Sequence, residues 1–215
     1  MKPDDVARYL KENPGFFEDY ADFLGELTIP HPHGGRAIPI SERQTLALRE
    51  KNRQLEGKLR EVIQFGEEND AISEKVHRIS VALLAATGIS GVLSAAYLNL
   101  REDFAVPHVA LRVWRGTRHA DLPEFQPLSD AAREYAAGLA APYCGSHPAA
   151  DVASLFGEAS THLRSFAYIP LRDPEPFGLL VLASEDTQRF YPEMGTLYLK
   201  RLGDLVGAAL ARHLD

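Results

Sequence analysis

The chain has 215 residues and a formal net charge of -7, with 45% of its residues hydrophobic and 25% charged. These proportions exclude a disordered chain, and the acidic balance argues against nucleic acid or an anionic membrane surface as a partner. No run of about 18 apolar residues occurs, so no membrane span is expected.

Residues 1–10 carry Asp4 and Asp5 without an apolar stretch, which is not the pattern of a secretory leader. Cys144 is the only cysteine, so no internal disulfide forms, and a reducing cytoplasm is the simplest compartment.

Residues 1–40 form a first segment. Val6, Tyr9 and Leu10 recur at helical spacing, with Asp4 or Asp5 available as a cap and Asn13-Pro14-Gly15 as a stop. Phe16, Phe17, Tyr20, Phe23, Leu24 and Leu27 predict a second short amphipathic helix, and HPHGG at 31–35 reads as a loop. Two short helices cannot bury so many aromatics alone, so this segment is expected to dock on another surface.

Residues 41–87 predict one long helix, with Ser41 as its N-cap and no proline inside it. Leu48, Asn52, Leu55, Leu59 and Val62 step by four, three, four and three, which is the seam of a coiled coil. After a further step of three, Phe65, Asn69, Ile72, Val76, Ile79 and Leu83 resume the rhythm, so the seam contains a stammer that overwinds it locally. At about 1.5 Å per residue the helix spans roughly 70 Å, too long for a small domain to cover its seam. A homodimer through this helix is therefore expected. Asn52 and Asn69 would fix its register by pairing with the partner's amides.

Residues 88–215 predict a compact domain. Gly88 breaks the long helix, and 92–100 continues as a second one. Val109, Leu111 and Val113 alternate with Ala110, Arg112 and Trp114 as in a half-buried strand. Ser129 caps a helix over 129–139, and 166–171 and 177–183 are apolar strands joined by Asp173-Pro174-Glu175-Pro176. Pro192 is placed to open a last helix, with Met194, Tyr198, Leu202, Leu205, Val206 and Ala209 on its buried stripe. The fold class is therefore α+β: a long N-terminal coiled-coil helix, then a domain with a central antiparallel sheet flanked by helices.

Two stretches carry a family resemblance. SFAYIPLRDPEPFGLLVLASED at 165–186, followed by Arg189-Phe190-Tyr191-Pro192 and an amphipathic helix, resembles the last strands and last helix of GAF domains. Asn13-Pro14-Gly15-Phe16-Phe17, Ile29-Pro30-His31, Ser41-Glu42-Arg43-Gln44, Glu68-Asn69-Asp70, Tyr143-Cys144-Gly145 and Met194-Gly195-Thr196 resemble a bacterial family known only as domain of unknown function 484. The resemblance implies a GAF-like C-terminal domain with a helical N-terminal extension, and it implies no activity.

A GAF-like domain would place a small molecule against its sheet. The expected pocket residues are Val109, Leu111, Val113, Cys144, Tyr168 and Leu180, covered by residues 118–164. Cys144 beside Gly145, with His147 near, also raises a thiol-based redox reading, but no second cysteine is present to resolve a disulfide. Arg101, Arg112, Arg115 and Arg118 near Trp114 could form an anion patch, or simply keep an edge strand soluble.

No phosphate loop, dinucleotide fingerprint or nucleophile elbow is present, and the histidines lack metal-ligand spacing. No catalytic residue, metal or cofactor is specified. The functional expectation is a non-catalytic homodimer that binds an unidentified small molecule and acts through an unidentified protein partner. The alternative is a ligand-free adaptor whose aromatic N-terminal segment docks a partner.

Overall fold

The computed structural model describes residues 2–26, 28–30, 37–116, 118–147 and 152–214, with side chains described outside 24–42. Two compact units divide the chain, Met1–Glu67 and Glu68–Asp215.

The first unit opens with α1 (Pro3–Glu12), where proline suits the first turn and the Asp5 carboxylate accepts the Lys2 backbone N–H at 3.0 Å. Asn13 ends it, with both its backbone N–H and its side-chain amide donating to the Tyr9 carbonyl. The expected single helix from Phe16 to Leu27 is instead two: α2 (Phe16–Asp19) and α3 (Ala21–Glu26). Tyr20 leaves helical geometry between them (φ -121, ψ 39), and its ring stacks on Phe16 at 4.7 Å.

Strands β1 (Thr28–Pro30) and β2 (Ala37–Pro39) pair antiparallel, a hairpin the sequence pattern did not reveal. The loop expected at 31–35 and the Ser41 cap lie outside the described residues and side chains.

Helix α4 runs Ile40–Ala85, and its residues 40–67 belong to the first unit. Along that stretch Leu48, Leu55, Leu59, Val62 and Phe65 stand 56% to 67% exposed. Asn52 donates its amide to Glu56 one turn on.

The second unit holds residues 68–85 of α4, then α5 (Gly88–Glu102), β3 (His108–Val113), α6 (Asp130–Gly138), β4 (Tyr143–Gly145), β5 (Ser165–Asp173), β6 (Glu175–Ser184) and α7 (Leu197–Ala211). Gly88 adopts φ 68, a left-handed conformation that glycine takes readily, and there the chain turns from α4 into α5. Ser129 caps α6 as expected, its hydroxyl accepting the Ala132 N–H at 3.2 Å.

The four strands form one antiparallel sheet in the order β3-β6-β5-β4. Alternation sends Val109, Leu111, Val113, Cys144, Ile169, Leu180 and Leu182 to one face, where they join Ile79 and Leu83 of α4, Val92, Leu93, Ala96 and Leu100 of α5, and Leu199, Leu202 and Val206 of α7. Ala110, Phe166, Tyr168, Leu179, Val181 and Ala183 point the other way, under Ala132 and Ala136 of α6 together with Leu128, Val152 and Leu163. Strand β3 is therefore covered on both faces rather than half-buried, because Ala110 is as well packed as its neighbours.

Helix α7 begins at Leu197, later than Pro192. The Met194 N–H closes a turn onto the Tyr191 carbonyl at 3.0 Å, and helical bonding starts only with Lys200 N–H to Thr196. Met194 thus lies in the preceding turn, and the buried stripe is carried by Leu199, Leu202, Val206, Ala209 and Leu210.

Candidate functional site

The six expected pocket residues do not share one site. Val109, Leu111, Val113, Cys144 and Leu180 face the helices α4, α5 and α7, whereas Tyr168 faces α6. The register explains the split: Tyr168 pairs with Val181 and Ile169 with Leu180, so Tyr168 and Leu180 lie on opposite faces. The cover differs too. Ala132 and Ala136 of the 118–164 stretch pack on the Tyr168 face, where Tyr135 meets the Tyr168 ring edge-on at 5.4 Å.

The structure instead presents an apolar cavity of about 500 Å³ under the helices of the second unit. Its depth is made by Leu100, Val106, Leu182, Phe190, Leu199 and Leu202, all buried. Half-buried Ile72, Phe104 and Met194 line it further, and exposed Asn69, Arg189, Gly195 and Leu197 mark its mouth with Lys75 and Tyr198. A volume of this size suits a small organic ligand.

Local geometry shapes each wall. Helix α5 ends with the Val106 N–H reaching the Leu100 carbonyl at 3.0 Å, and Ala105 between them adopts φ 50. That left-handed residue turns Phe104 and Val106 into the lining. The Arg189 guanidinium donates to the Phe104 carbonyl and lies 5.9 Å from the Phe190 ring centroid, which holds the segment before α7 against the end of α5. Tyr198, in the first turn of α7, places its hydroxyl 3.3 Å from the Asn69 carbonyl oxygen.

Three members of the expected dimer seam, Asn69, Ile72 and Val76, meet other parts of the second unit. Phe65 is exposed, but Asn69 meets Tyr198, Ile72 lines the cavity and Val76 is half-buried, while Ile79 and Leu83 continue the same rhythm into the core. Beyond Glu67 the heptad stripe runs into the packing of the second unit, at Ile79 and Leu83.

Cys144 is 2% exposed, and burial pushes its thiol up to about 11. The His147 ring nitrogen Nδ1 lies 3.0 Å from the Ser146 hydroxyl, and burial is the cause of the thiol's shift. Three arginines of the expected patch make contacts within the chain, while Arg118 is exposed. Arg115 pairs with Asp173 at 2.7 Å and lies over the Phe177 ring at 4.7 Å, Arg112 donates to the Leu111 carbonyl, and Arg101 lies over Tyr97.

A second, more open depression lies beside Tyr97, Arg101, Val109 and Glu124. Burial, with the Glu124 carboxylate second, raises the Tyr97 pKa well above the usual phenol range. Among the described residues no group of three or more His, Cys, Asp or Glu side chains could hold a metal, and no helix is long and apolar enough to cross a membrane.

Sequence reasoning missed Lys75, Phe104, Arg189 and Met194. Arg189 sat in a recognised motif, but nothing in its spacing tied it to Lys75 on a helix so distant in the chain.

Solved structures similar to this chain include the GAF domain of a protein named as a sensor histidine kinase from Pseudomonas syringae pv. tomato, at 18% identity and TM-score 0.47, covering 70% of this chain and 94% of that one. The native GAF domain of the potassium sensor histidine kinase KdpD from Escherichia coli is similar at 17% identity and TM-score 0.39, covering 65% and 93%. Free methionine-R-sulfoxide reductase from Neisseria meningitidis, solved with its substrate, is similar at 19% identity and TM-score 0.45, covering 65% and 88%. No curated protein matches the chain. A family model described as "Protein of unknown function, DUF484" matches residues 1–215 from end to end, and the chain belongs to that family.

Proposed function

We propose that this protein is a non-catalytic cytoplasmic regulatory module, a homodimer that binds a small molecule and passes the bound state to a protein partner. The carrying observation is the cavity of about 500 Å³ with α4 as one wall, contributed by Asn69, Ile72 and Lys75. The same helix carries the exposed seam of Leu48, Leu55, Leu59, Val62 and Phe65. A ligand that fills the cavity changes how residues 68–85 pack, and pairing through the seam is the readout that this change reaches. The domains in this reading are 1–40 for docking, 41–87 for pairing and 88–215 for ligand, with the helix end shared between the last two.

The cavity walls supply apolar contact, an amide, an ammonium, a guanidinium and a phenol, a set suited to holding a ligand. Native mass spectrometry of the full chain, purified gently from its own source, tests the reading. A dimer carrying a defined extra mass supports it, and a monomer at micromolar concentration removes the pairing.

A second reading rests on a different observation. Tyr9, Tyr20 and Phe23 are 50% to 56% exposed in the first unit, which fits a ligand-free adaptor that docks a protein through this aromatic surface. A dimer that never retains a small molecule, and that loses its partner when Tyr20 and Phe23 become serine, would favour it.

A further inference from the structure

We propose that the cavity takes a single-chain amphiphile with an anionic head, its chain among Leu100, Phe104, Leu182 and Leu202 and its head at Lys75 and Arg189. This rests on the reading that the cavity is a ligand site, and it names the class of ligand.

Two features of the lining point to that class. The interior is apolar and formed by buried aliphatic and aromatic side chains, so it rewards a chain and offers a polar ligand little to bond. The charged lining residues are Lys75 and Arg189, both cationic, and the lining contains no aspartate or glutamate. None of the ion pairs among the described residues uses either cation. One Arg189 N–H is committed to the Phe104 carbonyl, which fixes the guanidinium at the mouth and leaves its other donors for a head group.

A cationic amphiphile would meet like charge at the mouth. A neutral one would gain only the chain. An anion gains both terms, and its head stays near water, where Arg189 is exposed, so neither charge is buried. A free fatty acid and a lysophospholipid both present this chemistry.

The test is calorimetric titration of the full chain, below the micelle threshold of each probe, with octanoate, decanoate, decanol and a decanoyl lysophosphatidic acid. Decanoate should bind once per chain, about fourfold more tightly for each added methylene. It should also bind several-fold more tightly than decanol, with a preference that shrinks as salt rises. Whether decanoate or the lysolipid binds better identifies the source.

Lys75→Met should reduce the preference for decanoate and leave decanol unchanged. Ile72→Trp, at a half-buried wall position, should block every chain while circular dichroism stays that of the parent. Equal binding of decanol and decanoate by the parent protein would overturn the anionic class and leave a ligand-binding cavity standing. Failure of every chain to bind a folded parent protein would overturn the inference outright. A different small molecule retained in native mass spectrometry would then still sustain the regulatory reading.

Discussion

The Tyr198 hydroxyl of α7 lies 3.3 Å from the Asn69 carbonyl oxygen and 3.3 Å from the Ser73 hydroxyl of α4. The Asn69 side-chain oxygen is 3.5 Å away. A phenol has one proton, so it donates to one Asn69 oxygen at a time, while the Ser73 hydroxyl can donate into its lone pair. These contacts tie two walls of the cavity at its mouth.

Tyr198→Phe removes that tie and leaves the ring in place. The bonds are long and partly solvated, so the loss should be about 0.5 kcal/mol, at the low end for a hydrogen bond. Urea denaturation of the variant measures it. A loss above about 2 kcal/mol would mean that the ring itself has repacked and that the hydroxyl is not the relevant group.

Ala105 occupies a position that favours glycine. At φ 50 its Cβ crowds the backbone, a penalty of about 1 kcal/mol for an L-residue, partly offset because glycine loses more freedom on folding. Ala105→Gly should therefore raise stability by several tenths of a kcal/mol to about 1 kcal/mol, read as a shift of the denaturation midpoint at constant slope. Destabilisation would mean that the turn between α5 and β3 is not left-handed in solution.

Much of this architecture was legible in the sequence, and the misses have physical causes. Alternation located β3, unbroken apolar runs located β5 and β6, which are buried on both faces, and helical rhythms located α4 and α7. The pocket assignment failed at Tyr168. The register shift between Leu171 and Arg172 makes parity uncountable across the hairpin, so no spacing rule could place Tyr168 and Leu180 on opposite faces. The C-terminal end of the heptad stripe is a different case. A heptad stripe says that a helix face is covered, not what covers it, and at Ile79 and Leu83 the cover is the domain's own sheet and helices. The cavity was invisible because its lining comes from separate segments, one of them the aperiodic stretch at 186–196.

Two glycines on one face of α7 make opposite forecasts. A Cβ on Gly203 would sit 2.5 Å from Ile169 Cγ2, inside contact distance of a buried strand side chain. Gly203→Ala should cost about 1–3 kcal/mol by overpacking, beyond any helix-propensity gain. A Cβ on Gly207 meets nothing nearer than 3.8 Å, so Gly207→Ala should be neutral or should stabilise by up to about 1 kcal/mol. Thermal unfolding of the pair checks the helix-to-sheet spacing. Equal effects would show that the approach of α7 to β5 is not this close.

Leu55→Lys addresses the proposed pairing. Leu55 is 56% exposed within one chain, so the substitution should leave the isolated fold nearly unperturbed. In a dimer it would bury unpaired charge on both chains, a penalty of several kcal/mol. Sedimentation should show a dimer for the parent and a monomer for the variant. Near-ultraviolet circular dichroism from Trp114, whose indole donates to the Pro176 carbonyl at 3.1 Å, should match in both. A variant that still sediments as a dimer would move the pairing surface away from this seam.

Cys144 gives a pH signature with a definite direction. Burial holds its thiol up, from an ordinary 9.0 to about 11. The folded chain therefore keeps this proton more tightly than the unfolded chain does. The contribution to stability is fully present below about pH 9, where both states are thiols, and is lost as pH rises towards 11, where the unfolded chain ionises first. The loss is on the order of 2 kcal/mol, since each pKa unit corresponds to about 1.4 kcal/mol. Tyr97, also raised by burial, destabilises the fold further at alkaline pH, so the informative quantity is a difference between proteins. The parent should lose stability more steeply between these limits than Cys144→Ala, which keeps the slopes of the raised phenols Tyr97 and Tyr135. Iodoacetamide should correspondingly label the native thiol far more slowly than the urea-unfolded one at pH 8. Parallel pH profiles, or rapid labelling of the folded chain, would instead mean an accessible thiolate at Cys144 and would revive the thiol-based redox reading.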